Sequence, residues 1–165
     1  EKSDLEKIKS RWKKNNQSFS NRLIIYPRVR FEEYLAIMKI FDIILDPLYS
    51  GIGHTMYHAM FLGVPVVSMP TKQARGRYAY AVYKQMDIAN APIAKTIDEY
   101  ISLCKKLALN TSYRNDIKSQ IICKSKENLF SDKTICNQYI EFFNESIKCA
   151  KEKKILPLKW KPSID

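Results

Sequence analysis

The residues with the most chemistry in this chain lie between positions 50 and 77. Ser50-Gly51-Ile52-Gly53-His54-Thr55 puts glycines, an imidazole and a hydroxyl into one short loop, and Arg75-Gly76-Arg77 follows one apolar run later. A helix beginning near His54 has first-turn backbone N–H groups without intrahelical partners, and these carry a partial positive charge. Gly51 and Gly53 let the backbone approach a ligand closely. His54 and Thr55 add side-chain donors. Such a set suits a diphosphate, and His58, one turn beyond His54, is placed to reach a neighbouring sugar hydroxyl. Arg75 and Arg77 either neutralise phosphate charge as a leaving group departs or are plain surface arginines. The bland reading of the loop is a capped helix with no ligand.

Several other chemistries are excluded. There is no G-x-x-x-x-G-K-[ST], and only Gly51 and Gly53 fit G-x-G-x-x-G, so neither a Walker loop nor a dinucleotide fingerprint is present. His54 and His58 stand at i, i+4 as in a zincin helix, but Thr55 occupies the place of the Glu in H-E-x-x-H. No metal is expected.

These residues need a scaffold of strand, loop and helix. Ile43-Ile44-Leu45-Asp46 reads as a buried strand, residues 54–62 as a helix, and Gly63-Val64-Pro65 as a turn into a second strand over 65–69. Residues 71–77 form a polar loop that runs into a helix ending near Met86. Ala91-Pro92-Ile93-Ala94 is a short edge strand, and Leu23-Ile24-Ile25-Tyr26 a strand that stops at Pro27. Helices are expected over 4–14, 31–41, 97–109, 111–126 and 132–151, the last capped by Ser131. Asn15-Asn16-Gln17-Ser18 breaks the first. Tyr78, Tyr80 and Tyr83 read as helix packing. This alternation demands an α/β fold with a Rossmann-like parallel sheet, flanking helices and a helical C-terminal segment. In such sheets ligands bind at the carboxyl ends of the strands. So few strands suggest most of one lobe of a two-lobed protein. The boundaries read as 1–19 for an N-terminal helix and linker, 20–150 for the lobe and 151–165 for a tail.

The composition suits a globular domain: 45% of the 165 residues are hydrophobic, and the formal net charge is +11. Lysines crowd both ends, from Lys2 to Lys14 and from Lys148 to Lys161. A solvated lysine-rich face explains this better than a nucleic-acid or membrane surface, because no zinc-finger or RNP-type motif accompanies the charge. Cys104, Cys123, Cys136 and Cys149 lack C-x-x-C spacing and read as buried reduced thiols. With no secretory signal and no long apolar span, a cytoplasmic setting without a membrane span is expected.

The order Arg22-Leu-Ile-Ile-Tyr-Pro27, Ile43-Ile-Leu-Asp46-Pro47, Gly53-His54-Thr55-Met-Tyr-His58-Ala-Met-Phe-Leu-Gly63-Val-Pro65-Val-Val and Arg75-Gly-Arg77 resembles one known lobe. It is similar to the C-terminal, donor-binding lobe of O-GlcNAc-transferase-like GT-B glycosyltransferases, a group that includes the SPINDLY type and bacterial relatives. The likeness spans roughly residues 20–150 and is most specific over 43–77. It implies a UDP-sugar donor, UDP-N-acetylglucosamine, used without a metal, and a protein Ser or Thr acceptor. It also implies a second, N-terminal lobe of the same protein. By position, Gly53, His54, Thr55 and Met56 would cradle the diphosphate. Val29 would meet the uracil edge through its backbone, with Arg30 and Tyr34 near the nucleotide. Arg77 would stabilise the leaving group. Where the family's helix offers a ribose-binding Asp or Glu, this chain has His58. No catalytic base can be named in this chain. Other readings are an N-glycosyl or glycan-building transferase of the same fold, or a degenerate non-catalytic binding module. A nucleic-acid partner is not expected.

Overall fold

Helical spacing of Leu5, Ile8 and Trp12 produces the first helix, α1, over Lys2–Asn15. The computed structural model describes residues 2–15, 18 and 22–163. Asn16 and Gln17, within the expected break after α1, lie outside the described residues. The chain divides into two compact units, 1–34 and 35–165.

In the first unit, residues 23–30 form neither helix nor ladder. The strand expected over 23–26 is therefore absent. Its side chains alternate between half-buried and exposed, with Ile24 and Tyr26 outward, as in extended chain. Alternation alone makes no strand, because a strand exists through hydrogen bonds to a neighbour. Pro27 also removes a donor. Helix α2, Phe31–Lys39, starts with Glu32 and Glu33 in its first turn, where carboxylates favour the helix dipole. It stops two residues short of the expected Phe41. The N–H groups of Ile40 and Phe41 instead reach back to Ile37 and Met38 in a tightened last turn.

The second unit holds a small parallel sheet. Strand β1, Ile44–Leu45, pairs with β2, Val66–Val67, with Ile44 opposite Val66 and Leu45 opposite Val67. Bonds from Ile44 N to Pro65 O (2.8 Å) and from Asp46 N to Val67 O (2.9 Å) close the pair. Ser68 then bridges Ile93 in parallel, so the expected edge strand over 91–94 is reduced to one bridge. Parallel neighbours need crossovers. These are α3 (His54–Leu62) between β1 and β2, and α4 (Tyr78–Gln85), after a 3-10 turn at Ala74–Gly76, between β2 and Ile93. Met56, Ala59 and Met60 of α3, Val66 and Val67 of β2, and Val82 and Tyr83 of α4 form one buried core. Leu107 of α5 (Ile97–Leu109) and Ile117 and Ile121 of α6 (Thr111–Lys124) are buried in the same unit.

Three expectations need correction here. The helix beginning at Thr111 does not end at Lys126: α6 runs into a π-helical turn over Ser125–Leu129. Gln85 and Asn128 side chains tie that turn to α4 and its end, through bonds to Asn128 O and Met86 O. Ser131 does not cap α7, which spans Thr134–Lys151. Asp132 holds that end, its Oδ1 accepting from both the N–H and the hydroxyl of Thr134. Those bonds keep the Asp132 carboxyl below the usual carboxylate range. Finally, the cysteines are free thiols but not buried. Cys123 and Cys136 are exposed, and Cys104 and Cys149 are half-buried, because their helices cover the core with other residues. No helix among the described residues is long and apolar enough to cross a membrane.

Candidate functional site

Apolar β1 ends at Asp46, a carboxylate only 3% exposed. It faces no cation among the described residues, so hydrogen bonds must offset the cost of its burial. Asp46 Oδ1 accepts from the N–H of Ile52 (2.9 Å), and Oδ2 accepts from the Ser68 hydroxyl (2.5 Å). The Tyr100 hydroxyl of α5 donates to the Asp46 carbonyl (3.0 Å). Burial, followed by the nearby Cys104 and Asp46, pushes the Tyr100 phenol up to about 12. Tyr83 acts in a similar way on the neighbouring strand, where its hydroxyl accepts from the buried N–H of Val66 at 2.8 Å.

The bond to Ile52 shapes the loop ahead of α3. Gly51 lies so close to the second loop that a Cβ there would stand 2.9 Å from the Arg75 carbonyl. The Gly51 N–H donates to that same oxygen at 2.8 Å. Gly53 has φ 53° and ψ −127°, a conformation that side-chain-bearing residues rarely adopt. It precedes α3 without a side-chain cap. The N–H groups of Thr55 and Met56 turn back to Ile52 O and Gly53 O, whereas those of Gly53 and His54 make no hydrogen bond among the described residues. An open space with no atom within 4 Å lies where a Gly53 side chain would project. The result is an uncapped helix start beside open space, and the unpaired N–H groups of such a terminus favour negative charge.

The residues singled out by the sequence distribute as follows. His54 is exposed, Thr55 is half-buried, and Met56 is fully buried, so its side chain belongs to the core. His58 lies one turn on, half-buried, with its Nδ1 shielded from solvent. The exposed Arg77 donates to the Thr71 carbonyl (3.1 Å) and lies 5.1 Å over the Tyr80 ring. One bond engages only a fraction of a guanidinium with five donors. Through Gly51 and Arg75, the structure joins the glycine loop to the arginine loop. Val29, Arg30 and Tyr34 belong to the first unit. There the Arg30 N–H meets Glu33 (3.4 Å), and the Tyr34 ring stacks on Phe31 at 6.2 Å. Sequence pattern did not single out Asp46, Ser68 or Tyr100. The one available signal was an acidic residue ending an apolar run. Among the described residues, no group of three or more His, Cys, Asp or Glu side chains is arranged to share a metal ion.

Comparison with known proteins identifies what the chain is similar to. The model of glycosyl transferase family 41 matches residues 5–139. Among solved structures, a mutant O-GlcNAc transferase of Thermobaculum terrenum is similar at TM-score 0.64 and 19% identity, over 81% of this chain and 24% of that one. At that identity the likeness shows a shared fold, and the chain spans about a quarter of the solved protein's length. No curated protein sequence matches the chain.

Proposed function

The chain belongs to glycosyl transferase family 41, and from that premise we propose that it is the donor-binding half of a transferase that moves N-acetylglucosamine from a UDP-sugar to protein Ser or Thr. The observation that carries this reading is the uncapped start of α3, joined by the Gly51–Arg75 bond to a loop bearing Arg75 and Arg77. As the glycosidic bond breaks, negative charge builds on the departing diphosphate. Donors aimed at that charge gain most in the transition state and so accelerate the reaction. The N–H groups of Gly53 and His54, the Thr55 hydroxyl and the remaining donors of Arg77 fill this role. Met56 contributes by anchoring the first turn of α3 in the core. His58 reaches the ribose, where a neutral ring nitrogen accepts one hydrogen bond. The leaving group is stabilised by these protein donors without a metal, and the acceptor and catalytic base come with the second lobe. Four free thiols accord with a reducing, cytoplasmic setting.

Calorimetric titration of UDP into the full protein tests the site. The double substitution Thr55→Ala with Arg77→Ala should weaken UDP by about tenfold or more, since charge-assisted hydrogen bonds to phosphate are lost. Unchanged affinity would overturn the assignment. A wild-type protein that binds UDP yet transfers no sugar to any acceptor would instead favour a non-catalytic binding module.

A further inference from the structure

We infer that Asp46 is a positioning residue for both donor loops, an inference that rests on the site proposed above. All of its hydrogen-bonding groups are engaged. Its N–H is bound to Val67 O of β2, its carbonyl receives Tyr100 from α5, and its two carboxylate oxygens receive Ile52 and Ser68. The carboxylate also packs against Gly51, where a Cβ would lie 3.4 Å from Oδ1. From Gly51 the connection passes to the Arg75 carbonyl. The side chain thus joins the glycine loop to Ser68, just past β2, and the backbone bond from Gly51 to Arg75 carries the connection on to the arginine loop.

A buried charge with no cation is a costly way to hold a turn. A negative charge behind an anion cradle also opposes the ligand. Asp46 therefore acts through hydrogen-bond geometry, not through its charge. That distinction separates two substitutions. Asp46→Asn keeps an oxygen to accept from Ile52, and its amide donates to the Ser68 hydroxyl, which accepts as readily as it donates. Asp46→Ala keeps neither bond and frees residues 50–53 to turn their N–H groups away.

The test measures UDP affinity by calorimetry, and amide exchange over residues 50–53, in the full protein below the unfolding range of every variant. Asp46→Asn should bind UDP as tightly as wild type or tighter, with slow exchange retained. Asp46→Ala should weaken UDP by about tenfold and speed exchange at Ile52 and Gly51. Ser68→Ala, which removes one bond, should fall between them and serves if Asp46→Ala does not fold. Ile117→Val in the core is the stability control: it should lower the melting temperature and leave UDP affinity alone. Asn behaving like Ala would overturn the inference, as would Ala losing stability with no change in affinity. If wild type binds no UDP, the proposed function falls. The exchange pattern then still decides whether Asp46 braces the loops.

Discussion

Replacing Gly53 by alanine tests the link between backbone conformation and ligand binding most directly. At φ 53° and ψ −127° an L-residue is held outside the ordinary allowed regions. Such backbone strain costs on the order of 1–3 kcal/mol. The added methyl would meet no atom within 4 Å, so no clash adds to that figure. Two responses are open to the chain, and they share the same free energy. If the loop keeps its shape, the fold carries the strain, and a domain of this size should melt about 2–12 °C lower. If the loop relaxes, stability is spared, but the N–H groups of Gly53 and His54 turn away. The nucleotide must then restore the strained shape, weakening its binding by about fivefold to 150-fold. Differential scanning calorimetry and UDP titration together read both terms. Their sum should fall within the strain estimate, however it divides. A Gly53→Ala protein with unchanged melting temperature and unchanged UDP affinity would refute the idea that this backbone conformation shapes the cradle.

Other consequences follow from the buried tyrosines. Tyr83→Phe leaves the Val66 N–H buried without a partner, which costs about 1–3 kcal/mol. Thermal unfolding should fall accordingly while UDP affinity holds, since Val66 begins β2 at the end away from the loops. Burial raises the phenols of Tyr100, to about 12, and of Tyr83, further still, above the value near 10 expected in the unfolded chain. Between these values the unfolded state has lost protons that the folded state keeps, so stability falls as pH rises above about 10. Denaturant unfolding from pH 8 to 11.5 should show this decline, and Tyr100→Phe should make it shallower. A decline equally steep in that variant would remove Tyr100 from the explanation.

How much of this was legible in the sequence depended on the range of the interactions involved. Helices α3, α5 and α7 follow from local spacing, because their apolar residues recur at helical intervals within each element. The order of strand, loop, helix and Gly-x-Pro turn over 43–69 was legible for the same reason, but both strands shrink to two residues, and the first is not buried as expected: Ile44 is half-buried and Leu45 exposed. The strand expected over 23–26 was not, since its hydrophobic run specifies extended chain but cannot supply a partner. Ser131 and Asp132 are both plausible caps by type, and only the folded geometry selects Asp132. The exposure of the cysteines is not legible in the sequence, because amphipathic spacing does not say which shoulder of a helix stays wet. Asp46 was visible only as a strand end. Its partners Ser68 and Tyr100 lie 22 and 54 residues away, beyond any local pattern.

That range also explains how so small a sheet can carry an ordered site. β1 and β2 contribute two residues each, and the third position is a single bridge, so few ladder bonds hold the strand ends in place. Loops at such ends would ordinarily open at low free energy. Here the side-chain bonds of Asp46 extend the pairing one residue past β1 and β2, from Leu45–Val67 to Asp46–Ser68. They then carry it outward to Ile52, while the Gly51–Arg75 bond closes the two loops on each other. Each connection is a single hydrogen bond worth about 1 kcal/mol net. None alone would hold the loops, but the network is anchored on the buried Asp46–Ser68 bond, and releasing that bond leaves a carboxylate oxygen unsatisfied in a low-dielectric interior. The rigidity that an anion site needs therefore resides in the polar contacts at the carboxyl ends of the strands, and the ladder itself contributes little of it.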